Sequence, residues 1–281
     1  MWPIGVNTWV WTSPLTDNEL VRLAPRIAGW GFDTVELPIE RLGDWDPHKA
    51  AALLAEVGLG ASVALVMPPG RELVAASAQT VADTQDYLRA CVDAAAVVGS
   101  PVIGGPAYAS VGRTWRISPD ERRALYTELR DNLRPIADYA ARRGVRIGVE
   151  PLNRYETSLI NTVEQALDVL DGLPDEGCGL ALDSYHLNIE EKDPAAAVRA
   201  AAERIAHVQV CGTDRGAPGA DQFTWPAFAA ALREARYTGP LVIESFTADN
   251  QAIATAASIW RPLATSQDAL ATEGLAFLRT L

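Results

Sequence analysis

Short apolar runs alternate with longer amphipathic stretches along the whole chain. The short runs fall at 4–9, 34–37, 60–66, 101–105, 146–150, 179–183, 207–211 and 241–244, each of a length that suits a buried strand. Between them lie stretches with helical spacing. In 119–143, Leu125, Leu129, Leu133, Ile136 and Ala140 recur at intervals of four and three, which places them on one helix face. Ser118, Pro119 and Asp120 make a good helix start, and Pro135 inside the run predicts a kink or a break. The stretches 51–57, 81–98, 163–173, 194–205 and 225–236 behave alike, and 257–281 closes the chain as an Ala- and Leu-rich helix.

Strict alternation of strand and helix predicts a parallel sheet covered by helices. Eight such units in 281 residues suit a closed (β/α)8 barrel, and the absence of a short-period repeat or low-complexity linker makes 1–281 one domain. An open doubly wound sheet is the competing architecture. No GxGxxG follows the first apolar run, which weakens a dinucleotide-binding role.

Composition then narrows the function. The net charge of −12 disfavours nucleic acid as a partner and fits a small-molecule substrate. The three histidines are too few for a His-rich multinuclear zinc site, and a nuclease is therefore not expected. No apolar stretch approaches the roughly 20 residues of a membrane span. The beginning MWPIGVNTWVW lacks a basic region ahead of an apolar run. The three cysteines, Cys91, Cys178 and Cys211, are odd in number and widely spaced, which argues against a disulfide framework. A reducing, cytoplasmic location is expected.

In a barrel of this kind the chemistry sits where strands end at their C-terminal side. The fifth run ends in Glu150, the sixth in Asp183 with His186 three residues on, and the eighth in Glu244; the seventh carries His207 and Gln209, with Arg215 beyond it. One carboxylate at a strand end is ordinary. Three that converge repel one another unless a cation or a shared proton neutralises them. A divalent metal answers that, and Gln209 adds a neutral amide oxygen. The set Glu150, Asp183, Gln209 and Glu244 is all oxygen, which favours Mn2+ or Mg2+ over Zn2+. His207 faces the same side of its strand as Gln209 but deeper, so it is read as a barrel-interior residue. Glu36, at the end of the second run, is a candidate substrate contact. Trp9, Trp11 and Trp115 are candidates for an apolar wall. Glu190 and Glu191 are read as a solvated helix start, and Cys211 as a buried small apolar residue.

At these residues the chain resembles the sugar isomerase/epimerase (xylose isomerase-like) barrels, and most of all the ketose 3-epimerases of the D-tagatose 3-epimerase type. The segments that carry the likeness are VEPLNRYE (149–156), LDSYHLNIEE (182–191), HVQVCGTDRGAPGAD (207–221) with Trp225, and VIESF (242–246). GVNTWVW, VELPIE and GGPAY in the N-terminal half match more loosely. The resemblance implies one divalent metal, Mn2+, Mg2+ or Co2+, on Glu150, Asp183, Gln209 and Glu244. It implies substrate binding by Glu156, His186 and Arg215, acid/base roles for Glu150 and Glu244, and a homo-oligomer, dimer or tetramer. Gln209 departs from the pattern: ketose 3-epimerases carry histidine there, whereas 3-dehydroshikimate dehydratases resemble this chain in using glutamine.

The expected activity is therefore epimerisation of a ketose or keto-sugar at C3. One glutamate removes the C3 proton, the other returns a proton on the opposite face, and the cation stabilises the enediolate between them. Trp115 is expected beside the sugar. The alternative is a lyase or dehydratase at the same site, acting on 3-dehydroshikimate or on 3-keto-glycosides, since it begins with the same proton abstraction. A non-catalytic sugar-binding barrel that lost its metal at Gln209 is a third possibility.

Overall fold

Eight parallel strands pair in chain order, and the eighth closes back on the first. They are β1 (Ile4–Asn7), β2 (Thr34–Ile39), β3 (Gly60–Leu65), β4 (Val102–Gly105), β5 (Arg146–Val149), β6 (Cys178–Asp183), β7 (Ile205–Val210) and β8 (Leu241–Ile243). The computed structural model describes residues 1–281. The closed barrel excludes an open doubly wound sheet. Each strand overlaps one of the expected apolar runs, because a strand buried on both faces reads as a continuous apolar stretch.

Around the barrel lie α1 (Asp17–Trp30), α2 (Pro47–Val57), α3 (Ala78–Val98), α4 (Pro119–Arg142), α5 (Val163–Leu170), α6 (Ser184–Glu190), α7 (Pro194–Ala201), α8 (Trp225–Glu234), α9 (Gln251–Ala256) and α10 (Gln267–Leu278). The expected run at 119–143 becomes α4, opened by a capping box in which Ser118 Oγ accepts the Glu121 N–H and Glu121 accepts the Ser118 N–H. Pro135 does not break it. Helix α1 is an addition to the expected elements; its Leu20, Leu23, Ala24 and Ile27 face the core on either side of Pro25. The expected closing helix at 257–281 is shorter, because α10 starts only after the Ser266 cap.

Two features of the barrel shape the site. Register sets Asn7 beside Glu36 and Glu36 beside Ser62, so β1, β2 and β3 present three polar groups side by side. Gly104 leaves room for the His207 ring, since a Cβ there would come within 2.9 Å of its Cδ2. The barrel floor is thus polar where most barrel interiors are filled with branched aliphatic side chains.

Candidate active site

Strand order carries the candidate residues to one end of the barrel. Asp183 and Gln209 are register partners at the ends of β6 and β7. Glu150 and Glu244 follow β5 and β8 by one residue, and their N–H groups extend the ladder to Gly105 O and Val210 O at 3.1 Å each. All four are buried. Glu150, Gln209 and Glu244 open onto a cavity of about 150 Å3 that also meets Glu156, Tyr185, His186 and Arg215, while Asp183 lies behind Arg215.

Arg215 lies at the centre. It sits in the loop after β7 with a left-handed backbone (φ 69°), which turns its side chain inward. Its guanidinium pairs with Asp183 and with Glu244 Oε2, the latter at 2.9 Å. The Tyr185 ring lies 4.2 Å from it and the Phe246 ring 5.3 Å. Burial works against its charge, but Asp183, Cys211, Glu244 and Glu156 together outweigh that, and the guanidinium stays protonated. Burial, together with the charges of Glu244 and Asp183, pushes the Glu150 carboxyl well above its usual range. Burial does the same to Glu244, with Asp183 and Glu36 adding to the effect and Arg215 opposing it. Two buried carboxyls that resist ionisation, next to a third, form the arrangement a divalent cation relieves.

The donor set fits such an ion. Ligand atoms of Glu150, Asp183 and His186 come within 4.8 Å of one another. His186 is the weakest of the three as a ligand, because its Nδ1 accepts the Asn153 N–H at 3.0 Å. Asn153 Nδ2 also lies 3.0 Å from Nδ1, and two donors there assign the ring hydrogen to Nε2, which faces Glu150 Oε1 at 3.6 Å and Asp183 Oδ2 at 3.7 Å as well as Arg215 Nη2 at 3.2 Å. Burial lowers the His186 pKa and favours this neutral form. Gln209 offers a better ligand: its Oε1 is buried and has no hydrogen-bond partner.

Glu156 lines the same cavity. Its Oε1 accepts from Asn153 Nδ2 at 2.7 Å, which ties it to the residue that orients His186. Glu190 is not a solvated helix start: its side chain is nearly buried and clamps Arg154, accepting from Nε at 2.9 Å and Nη2 at 3.0 Å. This clamp holds the 151–158 loop that presents Glu156. Glu191 accepts the Val163 N–H at 2.8 Å and caps α5.

Several expected contacts belong elsewhere. Trp115 does not line the cavity; it packs under the Arg113 guanidinium, 4.7 Å from its ring, and borders an outer groove with Glu121 and Leu125. Trp11 is likewise outside, stacked on Trp30 with its indole N–H donated to Asp268. Of the three tryptophans only Trp9 lines the cavity. Glu36 does not reach it; fully buried, it lies beneath Gln209, which donates to its Oε2 at 2.9 Å. Burial would raise its pKa, but His207, Asn7 and Gln209 outweigh that and hold it below the usual carboxylate range. His207 is fully buried, with Nε2 2.6 Å from Glu36 Oε1. Cys211 is buried and its thiol is pushed up by burial, which disfavours a nucleophilic role.

The opposite wall is apolar. Trp9, Ala64, Val66, Pro106 and Val111 line the cavity from the β1–β4 side, and Phe246, against Arg215, joins this wall to the charged side. The Trp9 indole N–H is donated outward to Glu40 Oε1 at 2.8 Å, so it offers carbon to the cavity. No sequence signal marked Val66 or Val111, because wall residues look like any other core position.

A closed parallel barrel whose C-terminal mouth gathers three carboxylates, an amide and an arginine defines a class: sugar isomerase and epimerase barrels. The profile of the xylose isomerase-like TIM barrel family matches residues 25–281, and the chain belongs to that family. A probable ketose 3-epimerase of Synechocystis is 31% identical over 98% of this chain and 95% of its own. An L-ribulose 3-epimerase of Methylomonas is 30% identical over 98% and 96%. Among solved structures, D-allulose 3-epimerase from Methylomonas, in complex with D-allulose, is 28% identical and superposes with a TM-score of 0.89 over 99% of this chain and 96% of that one. The chain is an enzyme of the sugar epimerase/isomerase class, with ketose 3-epimerases as relatives.

Proposed function

We propose that the protein epimerises a free ketose at C3, using Glu150 and Glu244 as the acid/base pair and one divalent cation. The observation that carries this reading is the pair of buried, charge-crowded carboxyls on β5 and β8, with Asp183 between them and the Arg215 guanidinium against Asp183 and Glu244. Carboxyls with raised pKa values suit proton transfer near neutral pH. Glu150, Asp183, Gln209 and Glu244 would hold the cation, and their oxygens favour Mn2+ or Mg2+ over Zn2+. When bound, the ion supplies Lewis-acid polarisation of the substrate's carbonyl and neighbouring hydroxyl oxygens.

The chain's own residues do the rest. One glutamate takes the C3 proton, and the C3–H electron pair moves into the C2–C3 bond as charge develops on O2. Arg215 and the His186 Nε2–H donate to that developing charge. The other glutamate delivers a proton to C3 from the opposite face, which inverts the centre. Glu156 accepts a substrate hydroxyl, and the apolar wall with Phe246 excludes water.

Purified protein with Mn2+ is incubated with L-ribulose, D-fructose and 3-dehydroshikimate. Appearance of a 3-epimer, with solvent deuterium at C3, is the expected result. Loss of water from 3-dehydroshikimate with new ultraviolet absorbance, and no epimer, would establish the lyase instead; Gln209 is the residue that favours that outcome.

A homo-oligomer is part of the same proposal. Tyr155, next to Glu156, and Trp260 are 76% and 75% exposed, and such apolar surface suits a second copy; sedimentation equilibrium tests it. A reducing compartment fits three buried, unpaired cysteines, and no helix is long and apolar enough to cross a membrane.

A further inference from the structure

The floor beneath Gln209 is a built device whose purpose the reaction alone does not explain. Both hydrogens of the Gln209 amide are committed: Nε2 donates to Glu36 Oε2 at 2.9 Å and to Glu244 Oε1 at 2.7 Å. Glu36 accepts from Asn7 and Ser62 as well, so its oxygens act as acceptors. The reverse amide orientation would set Gln209 Oε1 against one of those acceptor oxygens, which fixes the side chain one way round. Its oxygen is then the atom left over, buried and without a donor. A buried unpaired carbonyl costs about 1–3 kcal/mol, so it calls for a partner the protein itself does not supply.

Glu36 is fixed in turn by donors from other strands. Asn7 Nδ2 on β1 reaches the same Oε2 at 2.8 Å and Ser62 Oγ on β3 reaches Oε1 at 3.1 Å, while His207 Nε2 on β7 packs against Oε1 at 2.6 Å without a hydrogen bond to it. A carboxylate held by so many neighbours has no freedom to turn. It is fully buried and away from the substrate cavity, so its influence on the site runs through Gln209.

We propose that Glu36 is a positioning residue for the metal centre: by taking the Gln209 amide N–H it commits the amide oxygen to the cation, making Gln209 an oxygen ligand. The inference rests on the metal-dependent reading of the site. A glutamine side chain alone is ambiguous, since its two ends differ only in O and NH2, and an NH2 facing the ion would repel it. The buried anion beneath removes that ambiguity. Outer-sphere partners of this kind commonly account for 10- to 100-fold in metal affinity.

The test is a double-mutant cycle on Mn2+ binding, read by calorimetry and by the electron paramagnetic resonance of free Mn2+, with no turnover required. Glu36→Gln keeps the shape but not the charge, and lets the two amides pair in either sense. Gln209→Met removes the amide. Glu36→Gln should weaken Mn2+ by about 10- to 100-fold in the wild-type background and by less than about threefold beside Gln209→Met. An equal loss in both backgrounds, or no loss in either, would overturn the proposal while leaving metal binding by the wild type intact. Wild-type protein that binds no Mn2+ would instead sink the metal-dependent reading itself. Circular dichroism checks that each variant is folded. Should Glu36→Gln unfold, Ser62→Ala and Asn7→Leu loosen the same carboxylate and should weaken Mn2+ by a smaller factor that again vanishes beside Gln209→Met; a loss that persists there counts against Glu36.

Discussion

The two walls of the barrel mouth are built on opposite plans. The wall from β5 to β8 is charged, crowded and interlocked: Glu150, Asp183, His186, Gln209, Arg215 and Glu244 are all buried, and most touch one another. The wall from β1 to β4 gives Trp9, Ala64, Val66, Pro106 and Val111, with no charged side chain facing the cavity. One wall holds charge for a reaction and the other supplies shape and dryness. The division has a physical reason: a low-dielectric wall strengthens each electrostatic interaction across the cavity. It also implies that substitutions on the two walls should fail differently.

The sharpest break should come from Glu150→Gln and Glu244→Gln. Each removes a proton-transfer group, and turnover should fall by about 10²- to 10⁴-fold, measured as deuterium exchange at C3. The same substitution on the apolar wall has no counterpart, so Val66→Ser should leave exchange at the same carbon detectable. Full exchange activity in either Gln variant would remove that glutamate from the mechanism.

Next comes Arg215→Met, read as stability without added metal. It leaves Asp183 and Glu244 buried and unpaired, which costs about 3–5 kcal/mol. Saturating Mn2+ should restore much of the melting temperature, since the ion takes over the neutralising role. A variant as stable as wild type in chelator would show that the ion pairs contribute nothing. The raised pKa values of Glu150 and Glu244 give a related pH effect. Each folded carboxyl binds its proton more tightly than the unfolded one, so folding is favoured at low pH. That contribution is lost as pH rises from the unfolded value of 4.5 towards the raised folded one. In chelator, wild type should therefore lose stability over this range relative to Glu150→Gln. Added Mn2+ should flatten the difference; parallel pH profiles in chelator would contradict the raised values.

The two walls also differed in how far the sequence disclosed them. Glu150, Asp183 and Glu244 were legible because each ends an apolar run, where a charge is conspicuous, and strand order then brings them together. The apolar wall was not, because Val66 and Val111 differ in no local way from core positions, and three tryptophans competed for a role only Trp9 holds. Trp115 looked suited to a sugar but is drawn off by Arg113. The barrel itself was readable from alternation, yet α1 escaped because Pro25 stands inside its span, where a proline signals a helix break, although it falls on the exposed face. Glu36 reads as the end of the second apolar run, but β2 continues to Ile39 and sets it mid-strand, where its depth depends on a partner 173 positions away that local pattern cannot supply.

On the apolar wall, Val66→Ser and Val111→Ser each put one hydroxyl into a carbon surface. Differences of one small group in such a pocket are worth about 10-fold or somewhat more. The expected outcome is a change of that size in kcat/KM between ketoses that differ at their far end, with Mn2+ affinity unchanged. A variant that weakened Mn2+ would mean that the two walls are not independent.

The smallest effect should come from the clamps behind the walls, which the two sides share in kind. On the apolar side Glu72 accepts from Ser110 and from Arg113 Nη1 at 2.7 Å, joining the loops after β3 and β4. On the charged side Glu190 clamps Arg154 and so steadies the loop of Glu156. The exposures differ: the Arg113 side chain is 27% exposed and that of Arg154 61%. An exposed partner is screened, and such pairs are worth about 0–1 kcal/mol. Arg154→Ala should therefore leave melting nearly unchanged. Its loop carries Glu156, however, so the looser end should appear as a KM raised by about two- to fivefold, the kinetic equivalent of that range, with kcat held. Arg113→Ala should show the converse, a measurable loss of melting temperature with KM for the same ketose little altered. If Arg154→Ala lowered kcat with KM fixed, Glu156 would belong with the proton-transfer groups, and the charged wall would extend one loop further than its geometry assigns.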